Sequence, residues 1–318
     1  MDQLNVIFDT DPGVDDAMAL LYLARHPRIN LVGITTVFGN ASIDQVTKNA
    51  LYLRDRLGFD APIAKGAGRP LVIEPDAPPT FVHGDNGLGD IDLPDIDLND
   101  ADPRPAHEML IDLVRQHPNQ ITLVAVGRMT NLALAAKAAP DIPGLVKEVV
   151  IMGGAFGYNG HGGNVSPVAE ANIIGDPHAA DIVFGLDWPL TIVGLDVTKQ
   201  TVMSNDYVER LNSNSADGKF VREISHGYQA FHANAVGIDG FYVHDSSAVA
   251  YALHPEYFET ATGPVRVVDE GIAIGQTILK PEGASYPTPH WDNRPSVKVC
   301  TGVDSEALLE EFRALICD

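Results

Sequence analysis

Short apolar runs rich in β-branched residues alternate with helical stripes along most of this chain, and that alternation limits its fold more than any other feature. LNVIF (4–8) reads as a buried strand, and from Ala17 the spacing Ala17, Leu20, Leu21, Ala24 is a helical face. LVGITTV (31–37) is the next strand. It is followed by the stripe Ile43, Val46, Ala50, Leu53, Leu57, with Ser42 and Gln45 at capping-box spacing and Gly58 as the stop. A stretch dense in Pro, Gly and Asp (66–103) interrupts the pattern. It then resumes as helix 107–115, strand ITLVAV (121–126), helix 131–139 and strand KEVVIMGG (147–154). Asp176-Pro177 opens a helix that runs through Phe184, LTIVGLD (190–196) is a further strand, and 304–316 is an amphipathic helix. Such alternation predicts an α/β fold, a mostly parallel sheet covered by helices on both faces. Neither an internal repeat nor a linker divides the sequence, so one domain over residues 1–318 is expected.

Charge narrows the partners. The 43 acids against 21 bases give a net charge of −22, which offers no basic field to nucleic acid or to an anionic membrane surface. No apolar run approaches a membrane span. The two cysteines, Cys300 and Cys317, cannot form a disulfide framework, and MDQLNVIFDTD lacks the basic and apolar regions of a signal peptide. The expectation is a cytoplasmic protein without nucleic-acid or membrane partners.

Where the first strand ends, VIFDTDPGVDDAMAL crowds Asp9, Asp11, Asp15 and Asp16 together. The ends of parallel strands are where open α/β sheets bind ligands. A helix N-terminus favours one acid by only about 0.3–1 kcal/mol, enough to explain Asp15 or Asp16 as a cap but not all four. A divalent cation accounts for the set, and a donor set of oxygens alone points to Ca²⁺ or Mg²⁺. An EF-hand is excluded, since counting from Asp9 puts Val14 where the loop needs Gly and Leu20 where it needs Glu. Two further stretches carry polar groups beside apolar ones. VHDSSAVAYAL (243–253) sets His244 next to Asp245 at a helix start, and SPVAEANIIGDP (166–177) spaces Glu170 and Asn172 two apart, on one face if extended. The glycine-rich GGAFGYNGHGGN (153–164) reads equally as an active-site loop or a surface loop.

DTDPGVDDAMAL, ITTVFGN, VVIMGGAF, VAEANIIGDP and VHDSSAVA, in this order and over nearly the whole chain, resemble the motifs of the inosine-uridine-preferring nucleoside hydrolases. The resemblance implies a Rossmann-like α/β fold, one bound Ca²⁺, and hydrolysis of the N-glycosidic bond of ribonucleosides. It implies Asp11, Asp16, Asp245 and the backbone carbonyl of Val126 as Ca²⁺ ligands. Asp15, Asn40, Asn164, Glu170 and Asn172 would grip the ribose, with Met152 beside the sugar and Asp9 behind the ligands, orienting them. His244 matches the histidine that protonates the leaving base, and His83 a base-pocket histidine. Tyr228 and His232 stand where several relatives carry two tyrosines, so base preference stays open between purine, pyrimidine and both. A homodimer or homotetramer and a role in nucleoside salvage follow from the same resemblance.

The chemistry agrees with these residues. Breaking a ribosyl C–N bond builds positive charge on the sugar, which carboxylates stabilise. Asp11 would take a proton from cation-positioned water, and His244, with an ordinary pKa near 6.5, would give one to the base. Two other readings fit the opening motif alone: a dehalogenase-type phosphatase using Asp9 and Asp11 with Mg²⁺, and a Ca²⁺-dependent nucleoside-binding protein without catalysis.

Overall fold

The computed structural model describes residues 3–317. Strand β1 (Leu4–Thr10) carries Val6 and Phe8 into one apolar layer and Ile7 into the other, as a period of two requires. Both layers are buried, so the strand's middle, Val6–Phe8, is a continuous apolar run rather than alternating. Around it lie β2 (Ile29–Thr36), β3 (Ile63–Lys65), β4 (Ile121–Ala125), β5 (Glu148–Met152) and β6 (Leu190–Val193). In space the sheet has eight strands in the order β3-β2-β1-β4-β5-β6, then Val297–Val303, then Phe258–Gly263. All neighbours are parallel except the last pair. The expected α/β architecture is therefore the observed one.

Two helices frame the first crossovers. Helix α1 (Val14–Arg25) begins earlier than its apolar stripe, because the turn Asp11–Gly13 feeds straight into it. Helix α2 (Ile43–Leu57) has the expected cap, Ser42 Oγ accepting the Gln45 N–H at 3.3 Å, and ends on Gly58 at φ 74°. Its capping box is half made, since the Gln45 side chain turns to Asn49 instead. The strand expected at 190–196 stops at Val193. Gly194 enters a helical turn, Leu195–Thr198, and a Cβ there would lie 2.9 Å from both Asp196 Oδ2 and the Gly154 carbonyl. The stretch from Glu170 to Asn172 is not one extended run either: Glu170, extended itself, caps the short helix Ala171–Gly175, which contains Asn172.

Strand order reverses about β1, which has β2 on one side and β4 on the other. Crossovers depart to opposite faces there and leave a crevice beyond the strand ends. Asp9, Thr10 and Asp11 run into that crevice from β1, and Val126, Gly127 and Arg128 follow β4 on its other flank.

Candidate active site

Parity along β1 sorts the early acids. Asp9 shares the face of Ile7, where Thr35 Oγ1 (2.6 Å) and Asn131 Nδ2 (2.8 Å) donate to its Oδ2. Through Oδ2 Asp9 braces the neighbouring strand and helix, while its Oδ1 is buried without a hydrogen-bond partner. Burial pushes its pKa up to about 7. Thr10 faces the other way and donates to Asp16 Oδ1 at 2.6 Å. Asp16 also accepts N–H bonds from Asp11 (3.2 Å), Gly13 (2.9 Å) and the Asn40 side chain (2.8 Å). Its bond from Gly13 is a helix cap, so the bland role and the site role fall on one residue.

Oxygens of Asp15, Asp16 and Asp245 lie within 4.8 Å of one another. Asp245 arrives from the first turn of the helix Asp245–Leu253, packed beside α1. Asp11 is buried against them. Its Oδ2 accepts the Asn40 backbone N–H at 2.9 Å, while Oδ1, like Oδ1 of Asp15, is buried without a partner. Burial raises the pKa of Asp11, Asp15, Asp16, Asp245 and Glu170, and mutual repulsion adds to it for Asp11, Asp16 and Asp245. Such a cluster cannot stay fully ionised alone. Converging Asp15, Asp16 and Asp245, with unpartnered oxygens on Asp15 and on neighbouring Asp11, are the donor set that a hard divalent cation fits.

Above the cluster opens a cavity of about 410 Å³, within the range of small-molecule sites. Asp15, Asn40, His83, Val126, Met152, Asn164, Glu170, Asn172, Tyr228, His232, His244 and Asp245 line it, while Asp11 and Asp16 lie beneath, each 1% exposed. Asn172 Nδ2 donates to the Val126 carbonyl at 2.6 Å and reaches the Met152 carbonyl at 3.3 Å, tying the ends of β4 and β5 together. Glu170 accepts N–H bonds from Asn172 (2.9 Å), Gly154 (3.0 Å) and Ile173 (3.1 Å). The glycine-rich loop contributes Gly163 and Asn164 to the cavity, and Lys199 Nζ holds it through the Gly162 and Gly163 carbonyls.

The opposite wall is aromatic. His83 Nδ1 accepts the Val14 N–H at 3.3 Å, and burial lowers its pKa to about 4. Tyr228 and His232 sit on the helix Ala216–Ala235, ring centroids 4.5 Å apart, and the Tyr228 hydroxyl reaches Asp15 Oδ2 at 3.4 Å. His232 Nδ1 meets the Tyr228 carbonyl at 2.9 Å, so the proton sits on that nitrogen and Nε2 stays an acceptor. His244 Nδ1 lies 2.8 Å from Thr198 Oγ1. Burial first, then the positive potential of His232, Lys199 and His83, lowers the His244 pKa to about 3, far from the ordinary value expected from the sequence. His244 is thus neutral at neutral pH. In the tautomer in which Thr198 donates to Nδ1, the ring proton rests on Nε2.

Sequence reasoning missed Thr198, Lys199, Arg128 and the rim residues Phe81, Phe231 and Tyr242. The strand-end rule alone flags Thr198 and Arg128, each a few residues past a parallel strand. Among the described residues no helix is long and apolar enough to cross a membrane.

Comparison with known proteins agrees with this geometry. The family model described as inosine-uridine preferring nucleoside hydrolase matches residues 6–310. The chain is 39% identical over 315 residues to uridine nucleosidase 1 of Arabidopsis thaliana, covering 97% of this chain and 92% of that one. It is 40% identical over 277 residues to the inosine-uridine preferring nucleoside hydrolase of Crithidia fasciculata, covering 86% of each. Among solved structures, a plant nucleoside hydrolase, PpNRh1, superposes with a TM-score of 0.94 at 36% identity over 99% of both chains. A purine-preferring ribonucleoside hydrolase from Gardnerella vaginalis gives 0.90 at 35% identity over 98% of both. The phosphatase and binding-only readings fall with these matches: the chain belongs to the inosine-uridine preferring nucleoside hydrolase family and is a ribonucleoside hydrolase.

Proposed function

We propose that this protein, acting as one domain, is a Ca²⁺-dependent ribonucleoside hydrolase that releases free base and ribose. The observation that carries the cation is the convergence of Asp15, Asp16 and Asp245 within 4.8 Å beside buried, unpartnered oxygens on Asp11 and Asp15. Asp11, Asp16, Asp245 and the Val126 carbonyl would hold the ion, leaving Asp15 for the sugar. When bound, Ca²⁺ supplies charge that offsets the carboxylate repulsion, sites for the vicinal ribose hydroxyls, and a lower pKa for nearby water.

The remaining steps belong to the chain itself. Asp15, Asn40, Asn164, Glu170 and Asn172, with Met152 beside them, orient the ribose, which fixes the anomeric carbon above the acids. As the C–N bond lengthens, positive charge grows on the sugar and the carboxylates beneath stabilise it. Asp11 takes the proton of the attacking water. His83, Tyr228 and His232 flank the base, and His244 delivers its proton. Because burial keeps that ring neutral, its contribution begins as an Nε2–H hydrogen bond that strengthens as charge builds on the departing base.

The test is release of free ribose from inosine and from uridine. Prolonged treatment with EGTA is expected to abolish release, and added Ca²⁺ to restore it. Full activity of protein shown to be free of metal would overturn the reading.

A further inference from the structure

Arg128 has no part in the reading above, yet the fold makes room for it at close quarters. Its Nη1 lies 3.5 Å from Asp11 Oδ2 and donates to the Phe38 carbonyl at 3.0 Å, and the guanidinium stands 4.8 Å from the centroid of the Phe38 ring. The side chain is 14% exposed. Three glycines clear its path and that of Asp11. A Cβ on Gly39 would fall 2.0 Å from Arg128 Nη1 and 1.7 Å from Asp11 Oδ2. One on Gly175 would fall 2.0 Å from Arg128 Nε, and one on Gly127 2.7 Å from Asp11 Oδ1. None of the three takes a positive φ, so space and not backbone conformation calls for glycine at these positions.

The result is a carboxylate held on one oxygen. Oδ2 of Asp11 takes the Asn40 N–H at 2.9 Å and faces Arg128, whereas Oδ1 is buried and unpartnered. Among the described residues no other Arg or Lys is within ion-pair distance of Asp11, Asp15, Asp16, Glu170 or Asp245. A guanidinium beside a carboxylate weakens that carboxylate's attraction for a divalent cation, so its presence works against metal affinity and needs another benefit. We propose that Arg128 is a positioning residue for the hydrolysis: beside the hydrogen bond from the Asn40 backbone N–H, its charge holds Oδ2 of Asp11 and thereby leaves Oδ1, the oxygen that would meet the ion, facing the attacking water next to it. This rests on the reading of Asp11 as the base.

The experiment compares Arg128→Met, Arg128→Lys and Asp11→Asn, with steady-state kinetics on inosine and uridine at saturating Ca²⁺. Calorimetric titration of Ca²⁺ into metal-stripped protein accompanies it. Loss of orientation at a reacting group costs up to about 100-fold, so Arg128→Met is expected to lower kcat about 10- to 100-fold while KM stays within about twofold. Its Ca²⁺ affinity is expected to equal or exceed that of the parent. Arg128→Lys keeps the charge but loses the planar group that lies over the Phe38 ring and brings Nη1 to both the Phe38 carbonyl and Asp11 Oδ2, and is expected to stay at least about fivefold slow in kcat. Should Arg128→Met fail to fold, Arg128→Lys decides by that criterion. A kcat within about twofold of the parent in Arg128→Met, full recovery in Arg128→Lys, or loss of Ca²⁺ binding in Arg128→Met would each overturn the proposal. Asp11→Asn separates the two levels. If it is inactive while Arg128→Met is normal, only the role of Arg128 falls; if it keeps the parent kcat, the reading of Asp11 falls too.

Discussion

The floor and the far wall of the cavity are built on different principles. On the floor every contact is directional. Asp16 alone gathers four donors at 2.6–3.2 Å, and Glu170 gathers three. On the far wall the contacts are mostly ring against ring: His83 to Tyr228 at 5.5 Å, Tyr228 to His232 at 4.5 Å, and His232 to Tyr242 at 5.7 Å between centroids. Directional bonds discriminate sharply, because a missing partner leaves a buried group unpaired. Ring contacts reward area and tolerate changes of shape. The contrast predicts an enzyme strict about its sugar and lenient about its base.

The sharpest way to break that comparison is to remove one hydroxyl. A site built to bind a hydroxyl rejects the analogue lacking it by about 10⁴-fold or more. Deoxyinosine and deoxyuridine are therefore expected to show kcat/KM lower than inosine and uridine by about that factor. Comparable kcat/KM for the two sugars would mean that the floor does not grip the diol.

This strict half was also the legible half. The four early acids are near in sequence, at the end of an apolar run, and Asp16 takes three of its four bonds locally, from Thr10, Asp11 and Gly13. Strands β1, β2, β4, β5 and β6 were readable for the same reason, since a buried parallel strand is a continuous apolar run. The lenient half depends on distant pairings. The helix Ala216–Ala235 was not recognised, and its Tyr228 reaches Asp15 across 213 positions. The strands Phe258–Gly263 and Val297–Val303 owe their identity to pairing with each other and with β6, which no local pattern records. The strand read over 190–196 failed where Leu195 and Val197 kept the apolar pattern going inside a helical turn.

A smaller effect is expected where the two halves meet. His244 adjoins Asp245 on the floor but faces Thr198. General acid contributions run from about 10²- to 10⁴-fold, so His244→Ala is expected to slow inosine about 10³-fold in kcat. A riboside with a p-nitrophenyl leaving group needs no proton and is expected to lose only a few-fold. Equal losses on both substrates would remove His244 from the acid role. A typical hydrogen bond is worth about 0.5–1.5 kcal/mol, so Thr198→Val is expected to reproduce the pattern at up to about tenfold.

The smallest effect is expected on the wall, and it bears most directly on leniency. Tyr228 contributes a ring to the aromatic cluster and a hydroxyl 3.4 Å from Asp15 Oδ2, a long contact. Tyr228→Phe removes only the hydroxyl and should leave the inosine-to-uridine ratio of kcat/KM within about twofold. Tyr228→Leu removes the ring, and aromatic pairs are worth about 0.5–1.5 kcal/mol, so the ratio should move by about 2- to 10-fold. The larger purine, with more ring face to cover, should lose more. Tyr228 is buried, 2% exposed, so a melting curve must accompany the kinetics to show that the cluster still packs. If Tyr228→Leu instead slows both nucleosides equally by about 100-fold with an unchanged melting temperature, Tyr228 positions the reacting groups and the wall is as directional as the floor. Base choice would then be sought at the exposed rim, where Phe81 and Phe231 meet with centroids 5.8 Å apart.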